Sequence, residues 1–222
     1  MTPLVFLLDV DNTLLDNDRV AADLRSHLVD EVGQSATARY FELFEELRAE
    51  LGYADYLGAL QRYRVEHPRD LRLLAVSSFL LDYPFAERLY PKALEVLGHL
   101  ARLGMTVILS DGDVVFQPRK IARSGLGAAV GERILVYIHK ELELDDVEQR
   151  FPAEHYVLVD DKVRILSAVK QVWGKRLTTV FPRQGHYALD PAVASYPQPD
   201  VAIGGIAELL ELDPSAFGKS RG

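Results

Sequence analysis

Cysteine is absent from the 222 residues of this sequence. Its absence excludes disulfide bonds, thiolate-bound metal sites and a cysteine nucleophile. Long apolar runs are absent too: no stretch approaches the roughly 20 residues that a membrane span requires, so we expect no membrane partner. The apolar residues 3–8 are too few for a signal peptide, lack basic residues before them and end at an acid, which predicts a cytoplasmic protein.

The balance of charge is acidic, with 25 lysines and arginines against 33 aspartates and glutamates and a formal net charge of −8. This balance favours solubility and argues against nucleic acid as a partner, because nucleic-acid binding needs clustered cations. It does not exclude an anionic small molecule, since a bound metal ion and a few nearby cations reverse the local field. The composition is that of an ordinary globular protein, and both a monomer and a homodimer stay open.

Short apolar runs recur along the chain and are typical of strands buried on both faces. They fall at residues 4–8, 105–109, 134–138, 156–159 and 177–181, with a short sixth at 201–203. Amphipathic helical patterns lie between most of them, as at residues 92–103 and 163–173. This alternation predicts an α/β protein whose core is a Rossmann-like parallel sheet with helices on both faces.

Residues 16–85 differ from the rest, because they contain four amphipathic patterns and no convincing strand. The patterns cover residues 20–32, 37–51, 53–66 and 71–81, and glycines at positions 33 and 52 separate the first three. We therefore predict an all-helical insert at residues 16–85 and a core formed by residues 1–15 and 86–222.

Residues able to carry chemistry follow four of the predicted strands. The carboxyl ends of parallel strands meet at one edge of a sheet, which is where ligands of such folds bind. Carboxylates crowded there repel one another unless a cation is present, and Mg²⁺ accepts carboxylate oxygens while keeping positions for water or phosphate. The residues are, in chain order, Asp9, Asp11, Ser110, Lys140, Asp160 and Asp161.

These residues fall in four ordered motifs. The sequence DVDNT at residues 9–13 is followed by two leucines, ILSDG occupies residues 108–112, Lys140 follows the third strand, and VDD occupies residues 159–161. Their order and spacing resemble the four motifs of the haloacid dehalogenase superfamily of aspartate-nucleophile phosphotransferases. The resemblance covers nearly the whole chain, and it implies that the helical insert is the cap domain of that family.

The resemblance implies a role for each motif residue. Asp9 is the nucleophile that attacks phosphorus to give an aspartyl-phosphate, and Asp11 is the general acid and base. Ser110 holds oxygens of the transferred phosphoryl group, while Lys140 neutralises charge on that group and on the nucleophile. Thr13 is expected to stabilise the loop rather than to contact substrate.

The metal implied by the resemblance is Mg²⁺, held by Asp9, the backbone carbonyl of Asp11 and Asp161, with Asp160 as a second or water-mediated ligand. Lys162 departs from the family, where small or acidic residues are common, and leaves the identity of the second ligand open. The dehalogenase branch of the family needs no metal and lacks an acid two positions after its nucleophile. Asp11 therefore favours phosphate chemistry.

Together these features predict a Mg²⁺-dependent phosphatase that acts on a small phosphorylated metabolite. A cap that closes over the site favours small substrates and excludes bulk water. A phosphomutase on the same scaffold is kept as an alternative, because the sequence does not separate it cleanly from a phosphatase. A non-enzymatic phosphate-binding or sensor protein is kept as well, although the intact site residues argue against a loss of catalysis.

Other polar and aromatic residues are interpreted as structural. Asp111 and Asp113 are expected to be loop acids, and His139 is expected to be a structural histidine. The tyrosines at positions 53, 56 and 63 have helical spacing and are expected to pack the insert. A role in substrate binding is left open for Arg19, Arg62, Arg64, Arg183 and His186.

Overall fold

The structure is a computed structural model that describes residues 2–218. Within these residues a six-stranded sheet forms, and all neighbouring strands in it are parallel. The order across the sheet is β3-β2-β1-β4-β5-β6, which confirms the predicted Rossmann-like α/β fold. The strands are β1 (Thr2–Leu8), β2 (Met105–Asp111), β3 (Ile134–Tyr137), β4 (Ala153–Val159), β5 (Leu177–Pro182) and β6 (Val201–Ile203).

The first four of the five α-helices between β1 and β2 fall within residues 16–85. The carboxylates of Asp16 and Asp55 accept hydrogen bonds from N–H groups in the first turns of the first and third helices, which stabilises their starts. Gly52 ends the second helix with a left-handed backbone (φ 82°), which glycine adopts without strain. The helices are α1 (Asn17–Val32), α2 (Gln34–Leu51), α3 (Tyr56–Glu66) and α4 (Leu73–Asp82).

The remaining helices cover both faces of the sheet. They are α5 (Ala93–Leu100), α6 (Phe116–Ser124), α7 (Leu126–Ala129), α8 (Leu144–Arg150) and α9 (Val163–Trp173). Side chains alternate along β1, so Phe6 and Leu8 pack in one apolar cluster and Val5 and Leu7 in another. The first cluster continues into the buried faces of α1–α4, and the second packs against α8 and α9.

The α1–α4 segment is helical, as the sequence predicts, and its standing as a separate domain remains a prediction. Among residues 2–218, no helix combines the length and the apolar character that crossing a membrane would require.

Gly104 has a different role from the one its sequence position suggests. The pattern at residues 92–103 predicts a helix that Gly104 caps, but α5 already ends at Leu100. A Cβ atom on Gly104 would lie only 2.6 Å from the backbone oxygen of Leu4 in β1. Glycine is therefore required here by close packing against the central part of the sheet.

We expect Gly104→Ala to lower the free energy of unfolding by about 1–3 kcal/mol, because the backbone of β1 must shift to admit the methyl group. Gly98→Ala is the matched control, since a Cβ atom there meets nothing within 4 Å. In that helical position alanine is expected to raise the free energy of unfolding by about 0.5–1 kcal/mol. Urea unfolding measures both, and an unchanged stability of Gly104→Ala would contradict the packing described.

Candidate active site

The carboxyl ends of β1, β2 and β4 meet at one edge of the sheet, because these strands are adjacent and parallel. The N–H of Asp9 donates to the carbonyl of Val159 over 3.0 Å, and the N–H of Asp160 donates to that of Val180 over 3.2 Å. Both acids therefore leave the sheet at the same edge. Ser110 lies within β2, one residue before the strand ends, and is buried.

Lys140 begins a short 3₁₀ turn (Lys140–Leu142) after β3, and its side chain is 1% exposed. Its Nζ lies 2.5 Å from Asp9 Oδ1 and 2.6 Å from Asp160 Oδ2, and it donates to the carbonyl of Leu109 over 3.3 Å. Burial alone would lower the pKa of Lys140, but the charges of Asp160 and Asp9 raise it well above its usual value. The ammonium group is therefore charged and links the two acids.

Asp9, Asp160 and Asp161 form a compact acidic cluster, in which one oxygen of each lies within 4.8 Å of the others. Both carboxylate oxygens of Asp161 are buried and accept no hydrogen bond from the described residues. Burial and the charges of Asp160 and Asp9 raise the pKa of Asp161 well above its usual range, and burial raises the pKa of Asp160 to about 6. A buried carboxylate without a donor is unfavourable, so these side chains fit a hard cation such as Mg²⁺.

The loop after β1 is tied to the loop after β4. The N–H of Asp161 donates to Thr13 Oγ1 over 3.1 Å, and Thr13 is fully buried. Asn12 has a left-handed backbone (φ 59°), and its Oδ1 accepts the N–H groups of Asn17 and Asp18 at the start of α1. Thr13 therefore acts on the loop, in agreement with the sequence-based interpretation.

Asp11 is partly exposed and is held by two residues of α6. Lys120 Nζ lies 2.6 Å from Asp11 Oδ1 and donates to Asn17 Oδ1 over 3.0 Å. Gln117 Nε2 lies 3.4 Å from Asp11 Oδ2 and 2.8 Å from Ser110 Oγ. These contacts place the carboxylate of Asp11 beside the hydroxyl of Ser110.

Neither Lys120 nor Gln117 is among the residues that the sequence motifs indicate. Both are buried and lie three residues apart on α6. One feature of the sequence could have indicated the burial of Lys120. It lies next to Ile121, on a face of α6 that also buries Phe116. A lysine in such a place needs an acidic partner, because an unpaired buried charge is strongly unfavourable.

The loop after β5 contacts the helical insert close to the site. Tyr187 Oη accepts a hydrogen bond from Arg48 Nη2 of α2 over 2.8 Å. His186 donates its backbone N–H to Asp18 Oδ2 over 2.8 Å, and its ring Nδ1 lies 2.6 Å from Asp18 Oδ1. His186, which the sequence left open, therefore lies between the core and α1.

Of the two expected loop acids, Asp113 lies in the loop after β2, whereas Asp111 is the last residue of that strand. Asp111 accepts the N–H of Lys140 over 2.8 Å, and Asp113 accepts the N–H groups of Val115 and Phe116. Burial raises the pKa of Asp111, against the opposing effect of Lys140. Both acids stabilise the chain turns around the site.

The remaining candidates lie mostly in structural contacts. Tyr56 and Tyr63 are buried in the insert, as expected. His139 lies against Gly52 at the end of α2, where a side chain larger than hydrogen would collide with its ring. Arg19 and Arg62 form exposed ion pairs within the insert, with Asp23 and Glu50 respectively.

The chain is similar to known proteins both in sequence and in fold. Residues 4–172 match the haloacid dehalogenase-like hydrolase family. None of the curated proteins compared with the chain matches it significantly. The crystal structure of a haloacid dehalogenase-like hydrolase from Burkholderia xenovorans LB400 is 65% identical, with a TM-score of 0.92 over 96% of this chain and 100% of that one.

More distant structures share the fold alone. L-2-haloacid dehalogenase from Xanthobacter autotrophicus is 20% identical, with a TM-score of 0.62 over 94% of this chain and 97% of that one. The HAD-hydrolase YfnB from Bacillus subtilis, solved bound to magnesium, is 19% identical, with a TM-score of 0.64 over 95% and 98%. From the family match over most of its length and the 65% identity to the Burkholderia protein, this chain belongs to the haloacid dehalogenase-like hydrolase family.

Proposed function

We propose that this hydrolase is a Mg²⁺-dependent phosphatase that removes phosphate from a small phosphorylated metabolite through an aspartyl-phosphate on Asp9. The observation that carries the proposal is the buried carboxylate of Asp161, which lies beside Asp9 and Asp160 without a donor among residues 2–218. Displacing a halide from carbon needs no cation at this position, whereas a phosphoryl group carries charge that a metal ion offsets. The acidic cluster therefore favours phosphoryl transfer.

The residues that would hold Mg²⁺ are Asp9, Asp160 and Asp161, together with the backbone carbonyl of Asp11. When bound, the ion offsets charge on the phosphoryl oxygens and orients them for in-line attack. Lys140 supplies a second positive charge at the nucleophile.

In the first step a carboxylate oxygen of Asp9 attacks phosphorus, and the bond from phosphorus to the leaving oxygen breaks. Asp11 donates a proton to that oxygen, so a neutral alcohol departs. Ser110 Oγ accepts from Gln117, and its hydroxyl donates only over a long distance of 3.3 Å between Oγ and the carbonyl oxygen of Asp111. The hydroxyl proton is available to a phosphoryl oxygen.

In the second step water attacks the phosphorus of the aspartyl-phosphate. Asp11, now ionised, accepts a proton from the water, and the bond between Asp9 and phosphorus breaks to release inorganic phosphate. Lys120 and Gln117 bind the Asp11 carboxylate from α6, so the same group stays in place for both proton transfers.

Residues 16–85 act in this proposal as a cap over the site, on a core of residues 1–15 and 86–222. The contacts of Arg48 with Tyr187 and of Asp18 with His186 support it, because they join α1 and α2 to a core loop beside the acidic cluster. Such a cap excludes bulk water and favours small substrates.

A hydrolysis screen over phosphorylated metabolites, with p-nitrophenyl phosphate as a general probe, tests the proposed function. We expect inorganic phosphate to be released with Mg²⁺ and not with EDTA. Halide release from 2-haloacids without metal would instead indicate a dehalogenase. Transfer of phosphate between sugar hydroxyls without net release would indicate a phosphomutase.

The stability of Asp161→Asn provides a separate test of the metal site. The raised pKa of Asp161 means that the folded protein binds this proton more tightly than the unfolded chain does. The stability that this bound proton provides is therefore lost as the pH rises above about 4, which is the pKa of the carboxyl group in the unfolded chain. In EDTA at pH 8 we expect the Asp161→Asn variant, which is neutral at this position, to be more stable than wild type by about 1–3 kcal/mol, because a buried unpaired charge is gone.

Urea unfolding at several pH values measures this difference. It should shrink as the pH falls toward about 4, where the carboxyl is protonated in both states. Millimolar Mg²⁺ should stabilise the wild type and not the variant, so that the wild type becomes the more stable of the two proteins. A variant less stable than wild type in EDTA at pH 8 would contradict the electrostatic account of the cluster.

A further inference from the structure

Lys162 follows the acid pair directly, and its charge is not used by the proposed mechanism. Lys140 and Lys120 each have a carboxylate oxygen within 2.6 Å of the ammonium group. For Lys162, no ion pair with a carboxylate forms within the part of the chain that the structure describes, although the side chain is partly buried. It is thus a cation at the site without an acidic partner in contact.

Two contacts define the position of Lys162. Its backbone N–H donates to Asp160 Oδ1 over 2.8 Å, which fixes the residue beside the acidic cluster. The Nζ lies 5.0 Å from the centre of the Tyr187 ring. The backbone of Lys162 therefore contacts the acidic cluster, and its ammonium lies near an aromatic face.

Tyr187 also faces a cation from the helical insert. Arg48 of α2 donates to Tyr187 Oη over 2.8 Å, and its other terminal nitrogen lies 3.3 Å from the exposed Glu45. Lys162 in the core and Arg48 in the insert therefore meet at one tyrosine.

Lys162 and Tyr187 also line a cavity of about 150 Å³. Of the other charged residues in its wall, Arg164 is paired with Glu141 at 2.6 Å. Asp190 is exposed and keeps its negative charge, and its carboxylate accepts the N–H of Ala192 within its own 3₁₀ turn. Lys162 thus contributes a positive charge to this wall, and within the described residues no carboxylate forms an ion pair with it.

We propose that Lys162 and Tyr187 form an anion-binding subsite next to the phosphoryl site, which takes a second acidic group of the substrate. The substrate class is then a phosphate monoester whose carbon skeleton carries a carboxylate or a second phosphate. This inference rests on the proposed phosphatase function. A neutral sugar or polyol would leave the ammonium without a counter-charge, whereas an acidic group forms a charge-assisted hydrogen bond with it.

Binding of non-hydrolysable phosphonates tests this subsite without relying on turnover. The probes are 3-phosphonopropionate, propane-1,3-bisphosphonate and, as the neutral match, propylphosphonate, each titrated calorimetrically with Mg²⁺ present. We expect the wild type to bind at least one of the two diacids about 10–100-fold more tightly than propylphosphonate, as one charge-assisted contact allows. Which diacid binds more tightly distinguishes a carboxylate from a second phosphate.

Lys162→Met should reduce this preference to about threefold or less, because the counter-charge is lost. Lys162→Arg should retain most of it, and Lys175→Met, an exposed lysine after α9, should leave it unchanged. Equal binding of the three probes to wild type, or a preference that survives Lys162→Met, would overturn the subsite. Hydrolysis of p-nitrophenyl phosphate, measured in parallel, reports on the phosphatase function separately.

Discussion

Asparagine in place of Asp9 is expected to reduce phosphate release by at least about 10⁴-fold, because the proposed nucleophile is removed. The amide has nearly the same shape as the carboxylate, so Lys140 keeps a partner in Asp160 at 2.6 Å. The variant is therefore expected to fold, and its loss of activity reports on chemistry rather than on structure.

The measurement combines steady-state phosphate release with acid quenching of the enzyme mixed with labelled substrate. Wild-type protein should retain label on the protein as an aspartyl-phosphate, and Asp9→Asn should retain none. Asp145→Asn, at an exposed acid of α8, is the matched control and should behave as wild type. Normal turnover by Asp9→Asn would refute the assignment of the nucleophile.

Lys140→Met is expected to damage both catalysis and stability. Its ammonium lies within 2.6 Å of Asp9 and Asp160, so its loss leaves the three clustered carboxylates with no contacting cation from the described residues. We expect kcat to fall by about 10²–10³-fold, in the range found when one charge-stabilising donor is removed. We expect the free energy of unfolding in EDTA to fall by about 3–5 kcal/mol, as for other broken buried ion pairs.

Mg²⁺ separates these two effects. A cation bound by the same carboxylates should restore part of the stability of Lys140→Met, but not its kcat, because the charge beside the nucleophile is still missing. Urea unfolding with and without Mg²⁺ measures the first effect, and phosphate release measures the second. Lys175→Met controls for loss of a lysine, and a Lys140→Met protein with kcat within about tenfold of wild type would rule out the catalytic role.

The sheet and the residues at its edge follow from local features of the sequence. Apolar runs such as residues 4–8 and 156–159 are shorter than a typical helix, and each is followed by an acid. They therefore predict strands, and they place Asp9 and Asp160 at the same edge of the sheet. The structure confirms this sheet. The position of Ser110 within β2, rather than after it, shows that such patterns locate an element better than its last residue.

The contacts around these residues depend on tertiary packing and could not be predicted in the same way. Lys120 contacts Asp11 although the two are 109 residues apart in the sequence. Gln184 donates to the carbonyl oxygens of Asn12 and Thr13, which are more than 170 residues away in the sequence. No local pattern encodes such pairs. The segment after β5 is rich in proline, a composition typical of exposed irregular loops, yet Gln184 and Tyr187 within it bind the loop and the helices that surround the site.

The position of β1 between β2 and β4 has a consequence for how the protein is made. The strand that precedes Asp9 is synthesised before the other strands of the sheet, and its two partners begin only at Met105 and Ala153. Until the ribosome has added these segments, the apolar residues of β1 have no strand to pair with, and such segments are prone to aggregation and to capture by chaperones. Asp9 is therefore synthesised well before Asp161, and the acidic cluster is complete only after Asp161 has emerged and folded.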